Sequence, residues 1–254
     1  MDEAHLIKTW ANEESQPFTG WDFGYLRGRY SEARPPWSFP DLAREALRGA
    51  RSAVDLGTGG GEVLVTLADA FPVHMLATEA YPPNWGVARD RLGPLGVFVV
   101  AYHADEVSGV LPLRDGRFDA VLDRHEAYDP LEVARVLAPG GVFLTQQVHG
   151  RSHLDLLGHY GTEPHSPDVT PERLGTALQD AGLEVELARS WWGTISFADV
   201  GALVYYLRAI PWEVPNFSVE RFAIELLELQ QRLEHDGVLR FREGLFVIRA
   251  RKPR

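Results

Sequence analysis

Short runs of aliphatic and β-branched residues alternate along this chain with longer segments whose apolar positions recur every three to four residues. The first pattern predicts strands and the second helices. The runs at 52–56, 74–78, 97–101, 118–123 and 141–147 read as buried strands, with helices expected over 61–70, 84–91 and 130–137. Strands separated in this way form parallel βαβ units with right-handed crossovers, so the expected class is a doubly wound α/β fold. Thr170 caps a further helix that has Pro171 in its first turn and ends near Gly182, and 183–188 and 245–250 add two strands.

Two stretches depart from this rhythm. The first 50 residues hold Trp10, Phe18, Trp21, Phe23, Tyr25, Tyr30, Trp37 and Phe39, and read as a cap, not a strand layer. Within them Asp41 is expected to cap a helix that places Leu42, Ala43, Ala46 and Leu47 on one face and ends at Gly49. The stretch 191–240 is too long for a hairpin and carries helical patterns at 198–209 and 218–235, so it is expected to be a helical insertion or lid. With no repeats and no flexible linker, 1–254 is expected to form one domain: cap 1–50, core 51–190, insertion 191–240, last strand and basic tail 241–254.

Composition narrows the function classes. At 254 residues, 45% hydrophobic and 24% charged, the chain is an ordinary folded protein with ample core. The absence of cysteine excludes disulfides, a thiol nucleophile and thiolate metal sites. No run approaches the ~20 apolar residues of a membrane span, and residues 1–10 lack the layout of a secretory signal, so a cytoplasmic location is expected. The net charge of −11 argues against a nucleic-acid partner and for a small-molecule substrate.

The chemistry concentrates at Val54-Asp55-Leu56-Gly57-Thr58-Gly59-Gly60-Gly61-Glu62, where a buried strand opens into a glycine turn and then a helical run. Glycines at 57, 59 and 61 permit unusual φ angles and leave room for a ligand to pass close to the backbone. Counting from Gly57, Glu62 stands where a dinucleotide site has its last glycine, and a carboxylate at a helix N-terminus opposes a diphosphate. A nucleoside with an amino-acid end meets no such conflict, because Asp55 can receive its ammonium group. Glu79, followed by Ala80, closes the next strand and can accept from both ribose hydroxyls; Asp105, after Ala104, can accept from an adenine amino group.

In this order the motifs resemble the class I S-adenosylmethionine (SAM) dependent methyltransferases, in particular the small-molecule branch related to ubiquinone and menaquinone biosynthesis. Val54 to Gly61 is similar to the family's first motif, Glu79 to its ribose-binding acid and Ala104-Asp105 to its adenine-contacting position. Leu111-Pro112 through Val121 resembles the approach to its fourth strand, and Leu137 to Gly141 the turn into its fifth. The resemblance covers about residues 50–150. It implies a mostly parallel seven-stranded sheet with an antiparallel last strand, SAM as cofactor, and a methyl acceptor that it does not name.

Asp123-Arg124-His125-Glu126 follows the fourth of these strands and is expected beside the methyl donor, with Asp123 and His125 as candidates for catalysis and Asp123 also for the cofactor. It departs from the Asn/Asp-Pro-Pro-aromatic motif of adenine and glutamine methylation. His125 suits a general base because histidine titrates near neutral pH, although packing over the cofactor is an equal alternative. Arg27 and Arg29 are candidates for the methionine carboxylate. His149 and His153 are spaced i, i+4, but Gly150 between them and the lack of thiols argue against a metal site, so none is expected. The aromatics Trp191, Trp192, Tyr205, Tyr206 and Trp212 suit an apolar lid over the crevice. A non-catalytic SAM-binding module and a nucleotide-linked oxidoreductase remain as rival functions.

Overall fold

The computed structural model describes residues 2–18, 22–101 and 110–254. In chain order its strands are β1 (Tyr30–Glu32), β2 (Ser52–Leu56), β3 (His74–Glu79), β4 (Phe98–Ala101), β5 (Phe118–Arg124), β6 (Leu137–Val148), β7 (Glu184–Phe197) and β8 (Leu239–Arg251). The α-helices are α1 (Glu3–Glu14), α2 (Phe39–Leu47), α3 (Pro82–Leu92), α4 (Pro130–Val136), α5 (Leu154–His159), α6 (Pro171–Asp180), α7 (Val200–Ala209) and α8 (Ala223–Asp236). All eight strands join one sheet in the order β1-β7-β8-β6-β5-β2-β3-β4.

From β4 to β6 the pairings are parallel, with right-handed crossovers the expected connection. β8 then inserts antiparallel between β6 and β7, and β7 pairs antiparallel with β1. The expected doubly wound α/β class is the observed one. The expected strand count was short by one, because the N-terminal cap contributes β1, registered Tyr30 to Phe197 and Glu32 to Ile195. A three-residue edge strand has too little length for its own alternation to be read, and only the free edge of β7 selects it.

Successive strand residues bury opposite faces of the sheet. Ala53, Ala120, Leu122 and Leu144 pack with Phe39, Ala43 and Leu47 of α2 and with Leu92 of α3, whereas Val54, Val121 and Phe143 pack with Val133 and Val136 of α4 and Leu178 of α6. A third cluster joins Leu6 and Trp10 of α1, the buried residues of α7 and α8, and Phe197 and Phe241 of the β7–β8 hairpin. Cap and insertion therefore share a core.

Local details differ from expectation where a nearby competitor wins. Ser38, not Asp41, caps α2: its side chain accepts from the Asp41 N–H at 3.3 Å, and Phe39-Pro40 open the helix with proline in its first turn. The expected helix 61–70 is a 3-10 segment, Leu64–Ala70. The insertion is narrower than 191–240, since β7 runs on to Phe197 and β8 starts at Leu239. His149 and His153 share no helix face: β6 ends at Val148, and His153 is the N-cap of α5 in the left-handed region at φ 58°. No helix among the described residues is long and apolar enough to cross a membrane.

Candidate active site

The parallel strands leave β2 flanked by β3 on one side and β5 on the other, so chain direction diverges between β2 and β5 and opens a crevice at their carboxyl ends. Leu56 of β2 is paired with Asp123 of β5, which sets the glycine turn after β2 beside the 124–126 segment after β5. Gly57, Gly59 and Gly61 have φ of 59°, 63° and 80°, so the turn requires the left-handed backbone that glycine adopts without strain. Its first N–H groups are held by β3: Thr58 N–H donates to Thr78 O at 2.9 Å and Gly57 N–H to Thr78 Oγ1 at 3.3 Å. A Cβ at Gly57 would collide with the Glu126 side chain, which lies directly on the turn.

Carboxylates converge on this place. Asp55 is buried beside Thr58, and burial raises its carboxyl pKa to about 7, with Glu79 adding repulsion. Burial likewise raises Glu126 to about 7, again with repulsion from Glu79. Glu79, buried, is also shifted upward by desolvation, against the pull of its hydrogen bonds. One of those bonds comes from the Tyr81 N–H to Oε1 at 2.7 Å; the backbone at Gly59 and Ala80 and the Asn84 side chain supply others, so Glu79 ties the end of β3 to the glycine turn. Sequence reasoning had assigned no role to Glu126; its position directly after β5 was the available signal.

Glu62 lies at the far side of the turn, 2.5 Å from Arg91, which also donates to Gly60 O at 2.6 Å. Its charge is therefore largely compensated, and the case against a diphosphate moves from Glu62 to Asp55, Glu79 and Glu126.

After β5 the chain turns sharply. Asp123 is fully buried; its Oδ1 accepts from Thr145 at 2.8 Å and from Gln147 at 2.6 Å, and Gln147 also donates to Glu126 O at 2.8 Å. This network shapes the 124–126 turn. Asp123 Oδ1 thus holds that turn, while its Oδ2 is buried without a hydrogen-bond partner. His125 has φ 67°, rare for a residue with a Cβ, and is half-buried. Burial, seconded by the Arg124 charge, moves its pKa well below the ordinary histidine value.

Arg29 is held by two carboxylates. It donates to Asp199 at 2.6 and 2.8 Å and to Glu13 at 2.9 Å, clamping α1 to the start of α7. Arg27 is exposed. Arg124, largely buried, interacts electrostatically with Asp55 and also with Glu32 and Glu243. Ala104 and Asp105 lie outside the described residues. Among the described residues no group of three or more His, Cys, Asp or Glu side chains is placed to hold a metal.

Residues 54–145 match a family model described as a methyltransferase domain, a stretch that starts in β2 and ends in β6 and so contains the crevice. Over 153 residues the chain is 30% identical to the 23S rRNA (guanine(748)-N(1))-methyltransferase of Streptomyces fradiae, covering 56% of this chain and 52% of the relative. The chain thus spans about half the length of that relative. Among solved structures, the BH2331 protein of Bacillus halodurans C-125 superposes with a TM-score of 0.57 at 21% identity, over 85% of this chain and 99% of that one. The YcgJ protein of Bacillus subtilis does so with a TM-score of 0.59 at 16% identity, over 85% and 98%. These two likenesses show the Rossmann-like methyltransferase fold.

Proposed function

We propose that this chain is a class I SAM-dependent methyltransferase that transfers a methyl group from SAM to a small or medium-sized organic acceptor, a reading supported by the match of residues 54–145 to a methyltransferase-domain model. The observation that carries this reading is the set of three carboxyl groups, Asp55, Glu79 and Glu126, gathered around a left-handed glycine turn at the switch point of the sheet. Such a site is complementary to a cation and hostile to a diphosphate. SAM carries a sulfonium and an ammonium against one carboxylate, whereas a nicotinamide dinucleotide brings a negative pyrophosphate.

SAM held there would supply an electrophilic methyl carbon, its sulfur taking back the C–S electrons as the acceptor's lone pair forms the new bond and the acceptor's proton passes to solvent. The chain's own residues do the positioning. Asp55 receives the ammonium, Glu79 stands at the ribose position, and Glu126 lies on the glycine turn where it can face positive charge. Transfer from a sulfonium needs alignment and exclusion of water more than a charged catalytic apparatus.

The acceptor of the Streptomyces relative is a guanine in 23S rRNA. A net charge of −11 favours a free small molecule here over a phosphate backbone. Placement beside the ubiquinone and menaquinone enzymes rests on motif resemblance and belongs to the same proposal. Calorimetry of the purified chain with SAM, S-adenosylhomocysteine and NAD tests the reading. Binding of the first two without NAD is expected; NAD binding without SAM overturns it.

A further inference from the structure

Beyond Arg124 lies a second group of ionisable side chains that the donor site does not use. Glu243 of β8 is 5% exposed with no hydrogen-bond partner for Oε2, and His153 is 3% exposed with none for either ring nitrogen. Nδ1 of His153 stands 3.8 Å from Oε1 of Glu213, beyond hydrogen-bonding distance, and its ring meets that of Tyr206 edge-on at 6.4 Å. Tyr206 stacks on Tyr30 at 5.4 Å, and the Tyr30 hydroxyl donates to Glu32, which is exposed at the end of β1. Glu243 interacts electrostatically with Glu32, His153 and Arg124, and Arg124 interacts with Asp55. The cluster therefore adjoins the donor crevice, with Arg124 as the joint between them.

Buried polar atoms without partners destabilise the fold, and charged ones more so. Here such atoms belong to two residues close enough to interact electrostatically, although apolar residues would have packed there without that cost. A ligand that hydrogen-bonds to them removes the cost when it binds. The charge pattern says which kind. Among the described residues Glu32, Glu213 and Glu243 stand against the guanidinium of Arg124, so the missing charge is positive, and the stacked Tyr30 and Tyr206 offer aromatic surface to an organic cation. An anionic acceptor would find one arginine already surrounded by carboxylates.

We propose that this cluster is the acceptor-recognition pocket and that the acceptor carries an amine, held as its ammonium by Glu243 and Glu32, with its body against the Tyr30–Tyr206 pair. The proposal rests on the methyltransferase reading. Its recognition chemistry can nevertheless be measured without turnover.

The test titrates three probes that share a phenol ring into protein saturated with S-adenosylhomocysteine: tyramine, the carboxylate hydroxyphenylpropionate, and uncharged ethylphenol. Tyramine is expected to bind at least about tenfold more tightly than either, a difference of about 1.4 kcal/mol. Glu243→Gln keeps the shape and removes the charge; His153→Asn removes the imidazole with a residue that tolerates positive φ. Both are expected to weaken tyramine about tenfold or more while leaving S-adenosylhomocysteine affinity within about twofold. Equal binding of ethylphenol and tyramine, preference for the carboxylate, or undiminished tyramine binding to Glu243→Gln would each overturn the inference. If S-adenosylhomocysteine itself does not bind, the methyltransferase reading fails, and the same titrations on protein alone still decide the amine preference.

Discussion

The side-chain nitrogen of Gln146 lies 3.2 Å from Nε2 of His125, while the Gln146 oxygen accepts from the Trp37 indole N–H at 2.8 Å. Because an indole N–H only donates, it assigns oxygen and nitrogen in the Gln146 amide. The amide N–H therefore donates to Nε2, and neutral His125 carries its proton on Nδ1. The ring's one lone pair is occupied, and protonation would set two donors face to face. This agrees with the downward pKa shift from burial.

His125 is accordingly expected to position the crevice wall and not to accept the substrate proton. Turnover of the wild type should show no limb with a histidine-like midpoint that disappears in His125→Gln. A kcat–pH profile at saturating SAM checks this. Loss of such a limb together with a fall of about 100-fold or more would restore the general-base role.

Asp55 and Glu126, both at about 7 when folded, predict proton release on SAM binding. Each is partly protonated in the free protein at pH 6–7, and a bound cation favours the ionised form. Affinity should rise with pH across that range, and calorimetric heats at pH 6.5 should vary with the ionisation enthalpy of the buffer. Heats that do not depend on the buffer would separate these carboxyls from the site.

The same shift bears on stability with a defined sign. The folded pKa of Asp55 lies above the unfolded one, so its contribution is present below about 4 and is lost as pH rises through about 7. Asp55→Asn should thus be more stable than wild type at pH 8, by up to about 4 kcal/mol, with the gap closing towards pH 4. Denaturant unfolding at both pH values checks it, and SAM affinity should fall in the same variant.

Glu126 lies on Gly57, so Gly57→Ala combines a positive-φ penalty of about 1–2 kcal/mol with a steric clash. SAM affinity is expected to fall at least about tenfold. Adding Glu126→Ala should recover part of the lost stability by removing the clash but not the φ strain. Strict additivity in the double-mutant cycle would mean that the two residues do not meet.

Arg29→Ala should lower stability by about 1–3 kcal/mol, since it breaks paired, charge-assisted bonds to Glu13 and Asp199. SAM affinity should stay within about twofold. Thermal unfolding and calorimetry read the two effects separately; a large loss of affinity without loss of stability would return Arg29 to the methionine carboxylate.

By itself the sequence determined whatever depends on residues close together in the chain. The parallel strands from 52 to 148 show as compact apolar runs, and the glycine turn announces itself because only glycine adopts those φ values cheaply. Asp55 and Glu79 were legible because each stands at the carboxyl end of a strand, Asp55 one residue before the end of β2 and Glu79 last in β3. What the tertiary structure alone decided involves partners far apart. β1 is a strand only because β7 has a free edge, and Arg29 is a clamp because Asp199, 170 residues away, folds beside it. Glu126 on Gly57, Trp37 holding Gln146 against His125, and His153 facing Glu213 and Glu243 have the same origin. Periodicity tells which face of an element is buried, but the identity of the group across that face is fixed only when distant elements pack. A side chain's charge state, tautomer and usefulness to a ligand depend on that neighbour.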